Sequence, residues 1–434
     1  MTPSSTRVLT RAWSMLALGV VSHAGTTFLI TVPAYLIPLL QVQEGIPLVA
    51  AGALASAPSI GMCLTLVAWG AVADRFGERW AISACVTACA LGAFAVLLAG
   101  SHAGFAVVLV ACGAAAGGTN SASGRLVVAW FPKARRGLAM GIRQMSVPLG
   151  LAVAAVVVPP LAERTGVTGP FVLIGAVLVV LGLVCALAIR DRPPEEPADT
   201  RAVLPPPTPA TNRVSPSAAE APRTGAPDEE GTSGAVGTSR VGTNPYRRSS
   251  FLVRIHVVSA LLVIPQYTMA TFAFVFLVSG QGWETGPAGV MVAVAQMGGA
   301  VGRVVIGGVS DAAGSRVRVI RAVALTTTIV FGCLAVAGWL GAVVLTGIVL
   351  VAAVTASTAD NGLEFTAIAE SAGPRWSGRA LGMQNTGQFL VSAGVGPAVG
   401  ALVSLAGYAA AFACVAAVPL VALGVLPRHD ESTD

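Results

Sequence analysis

Charged side chains are scarce in this chain: Asp, Glu, Lys and Arg make up 11% of its 434 residues, against about 25% in a soluble domain. Water cannot solvate a surface so poor in charge, so most of it must face lipid. Histidine is rarer still, at four residues, and the seven cysteines (Cys63, Cys85, Cys89, Cys112, Cys185, Cys333 and Cys414) form no CxxC pair. That spacing gives no zinc site and no disulfide framework, and reads as small apolar filler. No HExxH, GxSxG or phosphate-loop pattern occurs, which argues against an enzyme and calls for no cofactor or metal. The net charge of +6 comes from short basic clusters between apolar runs, so no nucleic-acid face is expected.

What the chain does have is apolar length. Hydrophobic residues make up 55% of it, and the mean hydropathy is +0.78. A helix needs about 20 apolar residues to cross a bilayer. Backbone polar groups in lipid must be satisfied internally, which leaves helices or a closed barrel. The runs lack the period-two alternation of barrel strands. They predict about twelve helical spans, at 12–40, 48–73, 80–99, 104–130, 138–160, 168–189, 251–279, 287–309, 319–339, 342–368, 380–404 and 408–426. Arg7, Arg11, Arg75, Arg79, the Lys133–Arg136 cluster, Arg190, Arg316, Arg318, Arg321, Arg379 and Arg428 then fall on one side, and only Arg164 on the other. Cytoplasmic loops carry the excess of Lys and Arg, so both termini are expected in the cytoplasm and the chain in the cytoplasmic membrane. Residues 190–250 are rich in Pro, Thr, Ser, Gly and Ala and have no apolar period. They are expected to form a disordered linker between an N-terminal half at 1–189 and a C-terminal half at 251–434.

The two halves repeat a motif. Gly70-Ala71-Val72-Ala73-Asp74-Arg75-Phe76-Gly77-Glu78-Arg79 and Gly307-Gly308-Val309-Ser310-Asp311-Ala312-Ala313-Gly314-Ser315-Arg316 both fit G-x-x-x-D-x-x-G-x-R after the second span of their half. A second pair, Gly137 to Gln144 and Gly378 to Asn385, follows at matched spacing. Matched motifs indicate parallel halves related by an axis along the membrane normal. The 70–79 segment resembles the signature loop of the major facilitator superfamily, and the likeness covers nearly the whole chain. The resemblance implies an all-α membrane fold of two six-helix bundles, a monomer that carries a small-molecule substrate by alternating access, often with protons. It also implies that Gly70, Asp74, Arg75, Gly77 and Arg79, with Gly307, Asp311, Gly314 and Arg316, form a gate on the cytoplasmic side. Close backbone approach and a tight turn suit Gly70 and Gly77.

Ionisable groups inside spans are functional candidates by default. Arg125, Arg143, Arg303, Asp360 and Glu364 stand out. Arg125 and Glu364 occupy nearly equivalent depths in the two halves, so Arg125 is expected to pair with Glu364 or Asp360 when the cytoplasmic gate is closed; substrate or proton handling and snorkelling are the alternatives. Arg143 suits an anionic substrate or the same gate. Arg303, four residues before the second signature loop, reads as structural and close to the cytoplasmic surface. Candidate cavity residues in the N-terminal half are His23, Thr27, Tyr35, Asn120 and Gln144. Those in the C-terminal half are Gln266, Tyr267, Gln296, Thr358 and Asn361, and on the eleventh span Gln384, Asn385 and Gln388. His23, Asp360 and Glu364 are the candidates for proton coupling.

Drug–proton antiporters of this superfamily show an Arg deep in helix four and a glycine-proline motif in helix five. Here residues 111–118 hold no Arg, and the motif-like Gly394-Val395-Gly396-Pro397 lies in the other half. The segment from Asn120 through Gly150 resembles permeases for small metabolites and anions. Two readings stay open, a proton-linked permease for a small anionic metabolite and efflux of a drug or secondary metabolite, with a non-transporting receptor of the same fold as a third.

Overall fold

In the computed structural model, all regular elements among the described residues are helical. The structure describes residues 3–131, 133–190, 245–248, 250–373 and 376–430. The linker expected at 190–250 falls outside them, apart from Arg190, Ser250 and a helical turn at Pro245–Arg248 that was expected as linker. Residues 1–191 and 244–434 form one compact body.

The helices are α1 (Pro3–Tyr35), α2 (Ile37–Gln43), α3 (Leu48–Ala95), α4 (His102–Trp130), α5 (Lys133–Gln144), α6 (Ser146–Thr165) and α7 (Gly169–Ala188), then α8 (Pro245–Arg248), α9 (Phe251–Val275), α10 (Thr285–Ala313), α11 (Arg316–Trp339), α12 (Val343–Ala359), α13 (Asn361–Ala372) and α14 (Ser377–Val425). Among the described residues, 10 stretches are long and apolar enough to cross a membrane. Two of the helices are double length. Each turns at a glycine, α3 at Gly77 (φ 85°) and α14 at Gly407 (φ 79°), a backbone conformation that a Cβ disfavours. Divided there, the spans are consistent with the expected twelve. The start of α1, the end of α14 and the turns at Gly77, Gly314 and Gly373 share one face, called the terminal face below; Gly45, Gly166, Gly282, Gly341 and Gly407 turn the chain at the opposite face.

Three spans are interrupted. Proline lacks the N–H that would bond the carbonyl four residues back. Pro38 therefore leaves Ala34 without its helical donor beside the break at Leu36, and Pro148 does the same to Gln144 beside the break at Met145. The third break falls at Asp360, between α12 and α13.

Lipid tails are as apolar as leucine, so membrane helices associate through close packing at small residues and not through burial from water. Within the N-terminal half, Gly61 of α3 lies against the backbone of Val110 and Ala114, and Gly113 of α4 against Pro58. Within the C-terminal half, Gly298, Gly299 and Gly302 of α10 receive Thr355 and Thr358 of α12. The halves meet along two similar seams. Gly52 of α3 packs on Gly396 of α14, whose N–H donates to Ser56 Oγ at 3.0 Å. Gly289 of α10 packs on the Ala155 carbonyl of α6. A Cβ at Gly52, Gly289 or Gly396 would overlap the facing backbone.

Candidate functional site

The two halves are sealed at the opposite face. Tyr35 of α1 meets Phe274 of α9 edge to face at 5.6 Å, and Thr285 Oγ1 donates to Glu163 Oε1 at 2.6 Å across the seam of α6 and α10. Toward the terminal face the halves diverge around a cavity of about 2230 Å³. Its rim carries Asp74, Glu78 and Arg125 from one half and Asp311, Arg316 and Glu370 from the other.

Most of the polar residues singled out in the sequence line this cavity: His23, Thr27, Asn120 and Gln144 from the N-terminal half, and Gln266, Tyr267, Asn361, Asn385 and Gln388 from the C-terminal half. Gln296 and Thr358 line a smaller pocket of about 20 Å³ that shares Gln266 and Arg303 with it. Two expected lining residues lie elsewhere. Tyr35 is 2% exposed, belongs to the seal, and donates to the Leu151 carbonyl at 3.0 Å. Gln384 is turned into the C-terminal half, where it bonds Ser259 and His256.

Two arginines, one from each half, line the cavity and both bond Gln144. Arg143, the penultimate residue of α5, donates to Gln144 Oε1 at 2.6 Å and to Ser123 Oγ at 3.3 Å. Among the described residues no carboxylate lies within 4 Å of it. Arg303 of α10 comes from the other half. Its Nε donates to the Thr358 carbonyl at 3.0 Å, and its Nη1 to the Gln144 carbonyl at 3.4 Å. Both acceptors lie beside helix breaks. The Gln144 carbonyl lacks its donor because residue 148 is proline, and the Thr358 carbonyl ends the turn before the break at Asp360. This corrects the reading of Arg303 as a residue of the surface. Side chains on a helix lean toward its N-terminus, and α10 starts at the opposite face, so the long side chain runs inward.

His23 sits beside this pair, 5% exposed. Its Nδ1 is 2.8 Å from Ser146 Oγ, and that hydroxyl donates to the Arg143 carbonyl at 2.7 Å. A hydroxyl has one proton to give, so His23 Nδ1–H is the donor to Ser146. Among the described residues no three metal-ligating side chains cluster.

The sequence profile described as the Major Facilitator Superfamily matches residues 16–397, nearly the whole of the body that encloses this cavity. The chain belongs to the major facilitator superfamily. It is 40% identical over 420 residues to an uncharacterized MFS-type transporter of Mycobacterium tuberculosis strain H37Rv, covering 96% of this chain and 86% of that one. It is 25% identical over 146 residues to a protein named probable anion transporter 3, chloroplastic, of Arabidopsis thaliana, covering 33% of this chain and 28% of that one. Among solved structures it shares its fold with a bacterial homologue of the human lysosomal transporter Spinster in an inward-facing, occupied conformation (TM-score 0.69, 14% identity, 98% and 99% of the two chains). It likewise matches a D-xylose–proton symporter (TM-score 0.70, 15% identity, 96% and 98%). This is a multi-pass membrane protein of a transporter family.

The superfamily's signature loops lie on the cavity rim. Asp74 is ion-paired with Arg125, whose Nε also donates to Glu78 Oε1 at 3.1 Å. Arg79 Nε donates to the Ala186 carbonyl at 2.8 Å and its guanidinium lies over Trp80; Arg75 lies over Phe76. In the second half Arg316 pairs with Asp311 at 2.6 Å and with Glu370 at 3.4 Å. All these contacts stay within one half, as they must while the rim is apart. Gly77 and Gly314 (φ 61°) make the turns. The close approach expected at Gly70 is not made in this conformation, because an added Cβ would meet nothing nearer than Ser121 Oγ at 3.6 Å, and Gly307 has open space.

Asp360 and Glu364 are 4% and 1% exposed. Neither lines the cavity, although Asn361, Gly362 and Leu363 between them and Phe365 just after them do. They face the interior of the C-terminal half, away from Arg125. Sequence reasoning missed three of their surroundings: Ser259, His256 and Tyr246. His256 was visible as one of four histidines and lies in an apolar span, which is the signal that marks His23.

Proposed function

We propose that the chain is a secondary transporter that moves a small anionic metabolite across the cytoplasmic membrane by alternating access, coupled to protons. In this reading residues 1–189 and 251–434 are the two rocking bodies, 190–250 joins them, and both termini are cytoplasmic. The cavity then opens inward. The observation that carries the anionic substrate is that Arg143 and Arg303, one from each half, line the cavity and both bond Gln144, with no carboxylate among the described residues in ion-pair range of Arg143. A cation inside a membrane protein is costly unless something pairs with it, and a carboxylate or phosphate on the substrate would do so. Binding to guanidiniums of both halves would also draw those halves together, which is what an alternating-access cycle requires of its substrate. The anion transporter of Arabidopsis named above is a relative whose name agrees with this class.

His23, Asn120, Gln266 and Tyr267 would contact the uncharged part of the substrate. Asp74, Arg125 and Glu78, with Asp311, Arg316 and Glu370, would exchange their present partners across the rim as it closes, and Glu364 and Asp360 are further candidates to receive Arg125. The test is uptake and efflux in energised vesicles over a panel of organic and inorganic anions, neutral metabolites and drugs, with and without a proton uncoupler. Anion movement that is driven by the proton gradient and lost with the uncoupler supports the reading. Export of neutral or cationic drugs without anion movement overturns it.

A further inference from the structure

A polar column runs inside the C-terminal half, beside the cavity and not through it. It begins at the terminal face with Tyr246 of the α8 turn, which stacks on His256 at 5.9 Å and an interplanar angle of 12°. Tyr246 Oη is 2.9 Å from His256 Nε2, and His256 Nδ1 is 2.8 Å from Gln384 Oε1. An amide oxygen only accepts, so Nδ1 carries a proton toward Gln384 and Nε2 is left to the Tyr246 hydroxyl. The other end of the same amide donates to Ser259 Oγ and, at 3.5 Å, to Glu364 Oε2. Ser259 Oγ takes a further bond from Gln388 Nε2 at 2.8 Å.

The column ends at an unfilled position. No donor among the described residues reaches Glu364 Oε1, and Asp360 lies one helical turn before Glu364, its carbonyl accepting from the Glu364 N–H at 3.2 Å, which puts the two side chains on one face of the helix. Two neighbouring carboxyls inside a bundle repel one another when both are ionised, which favours a proton on one of them. The nearest cation, Arg303, acts on Asp360 by its charge but makes no ion pair with it within 4 Å. The other titratable groups on the packed elements include Arg254 and Tyr267 of α9, Asp311 of α10, Arg316, Arg318 and Arg321 of α11, Glu370 of α13, and Arg379 and Tyr408 of α14. Arg316 is committed to Asp311 and Glu370, and Arg379 lies over Trp376.

We propose that Asp360 and Glu364 share one exchangeable proton, and that this proton reaches them from the terminal face past Tyr246 and His256, by a route separate from the substrate cavity. The inference rests on the reading of the chain as a proton-coupled transporter and assigns its coupling site. In the loading step an N–H bond of the His256 imidazolium breaks and an O–H bond forms on a carboxylate of the pair. His256 becomes neutral and the pair goes from two negative charges to one. His256 and Glu364 bond opposite ends of the single amide of Gln384. Separation from the cavity has a functional consequence: the proton can leave while substrate still occupies the central site.

The test needs no substrate, because the ligand is the proton. Infrared difference spectra of the protein in liposomes, taken between alkaline and acid buffer, should show the C=O stretch of a protonated carboxyl. Glu364→Gln should remove it, and Asp360→Asn should remove or displace it. Glu364→Gln keeps an oxygen to accept from Gln384, so the fold is preserved. On transfer to D2O the band should shift promptly in the natural protein and severalfold more slowly in His256→Leu. Gly124→Trp, which obstructs the cavity instead, should leave the exchange rate unaltered. A band that persists unchanged in both carboxyl variants, or exchange slowed by Gly124→Trp and not by His256→Leu, overturns the inference. Lack of anion transport with this band intact would remove the proposed substrate class and leave the proton site standing.

Discussion

At the scale of single residues, the proposed site depends on positive charge at Arg143 without a counter-ion among the described residues. A hydrogen bond to a charged group contributes about 1.5–3 kcal/mol, which is roughly 10- to 100-fold in binding. Arg143→Ala is therefore expected to lower uptake by about that factor at subsaturating substrate, with Arg143→Lys intermediate, because an ammonium keeps the charge and loses the planar fork. Initial-rate uptake against concentration measures both. Pro148→Ala is a sharper probe. It supplies the N–H that the Gln144 carbonyl lacks, so Arg303 loses one of its two carbonyl acceptors. Melting temperature should hold or rise while transport falls; transport at the natural rate would show that the freed carbonyl has no role. Arg143 could be read in the sequence as a charge inside a span. The position of Arg303 could not, because two carbonyls far along the chain decide it, and neither shows its availability until the helix breaks are known.

Among helices, the order and boundaries of the spans were legible because a bilayer imposes a length and forbids unpaired backbone. The glycine-rich runs were legible as packing surfaces, but their partners were not. Gly394-Val395-Gly396-Pro397 looked like a misplaced antiporter motif, and in the structure it is the seam on which α14 meets α3 at Gly52. Overfilling a packed contact costs about 1–3 kcal/mol. Gly52→Leu should therefore part the halves at the opposite face, lower the melting temperature, and raise labelling of a cysteine placed at Thr285. Labelling as slow as in the parent would mean that the seam tolerates bulk and does not hold the face shut. Gly113→Leu is the control: it disturbs α3 against α4 within one half, so it should destabilise without opening that face.

Taken as a whole, the molecule is caught with one face shut and the other parted, and its charged rim residues are paired within their own halves. Tying Glu163→Cys to Thr285→Cys with a short, cleavable thiol-reactive linker should hold the opposite face closed, stop transport, and release it when the linker is cut. Continued transport in the tied protein would exclude the rocking of the two halves. The sequence could show that the halves repeat, since both copies of the G-x-x-x-D-x-x-G-x-R motif are in it, but which face stands open depends on a balance of contacts distributed over both seams.

The size of the cavity carries a cost of its own. A water molecule occupies about 30 Å³ of liquid, so 2230 Å³ corresponds to on the order of 70 waters. Closing the terminal face expels most of that volume into bulk solvent, whatever the substrate weighs. Each turnover therefore does hydraulic work, and the equilibrium between the two states should respond to osmotic pressure. A polymer too large to enter, added on the side of the termini, would draw the water out and press the molecule toward its other face.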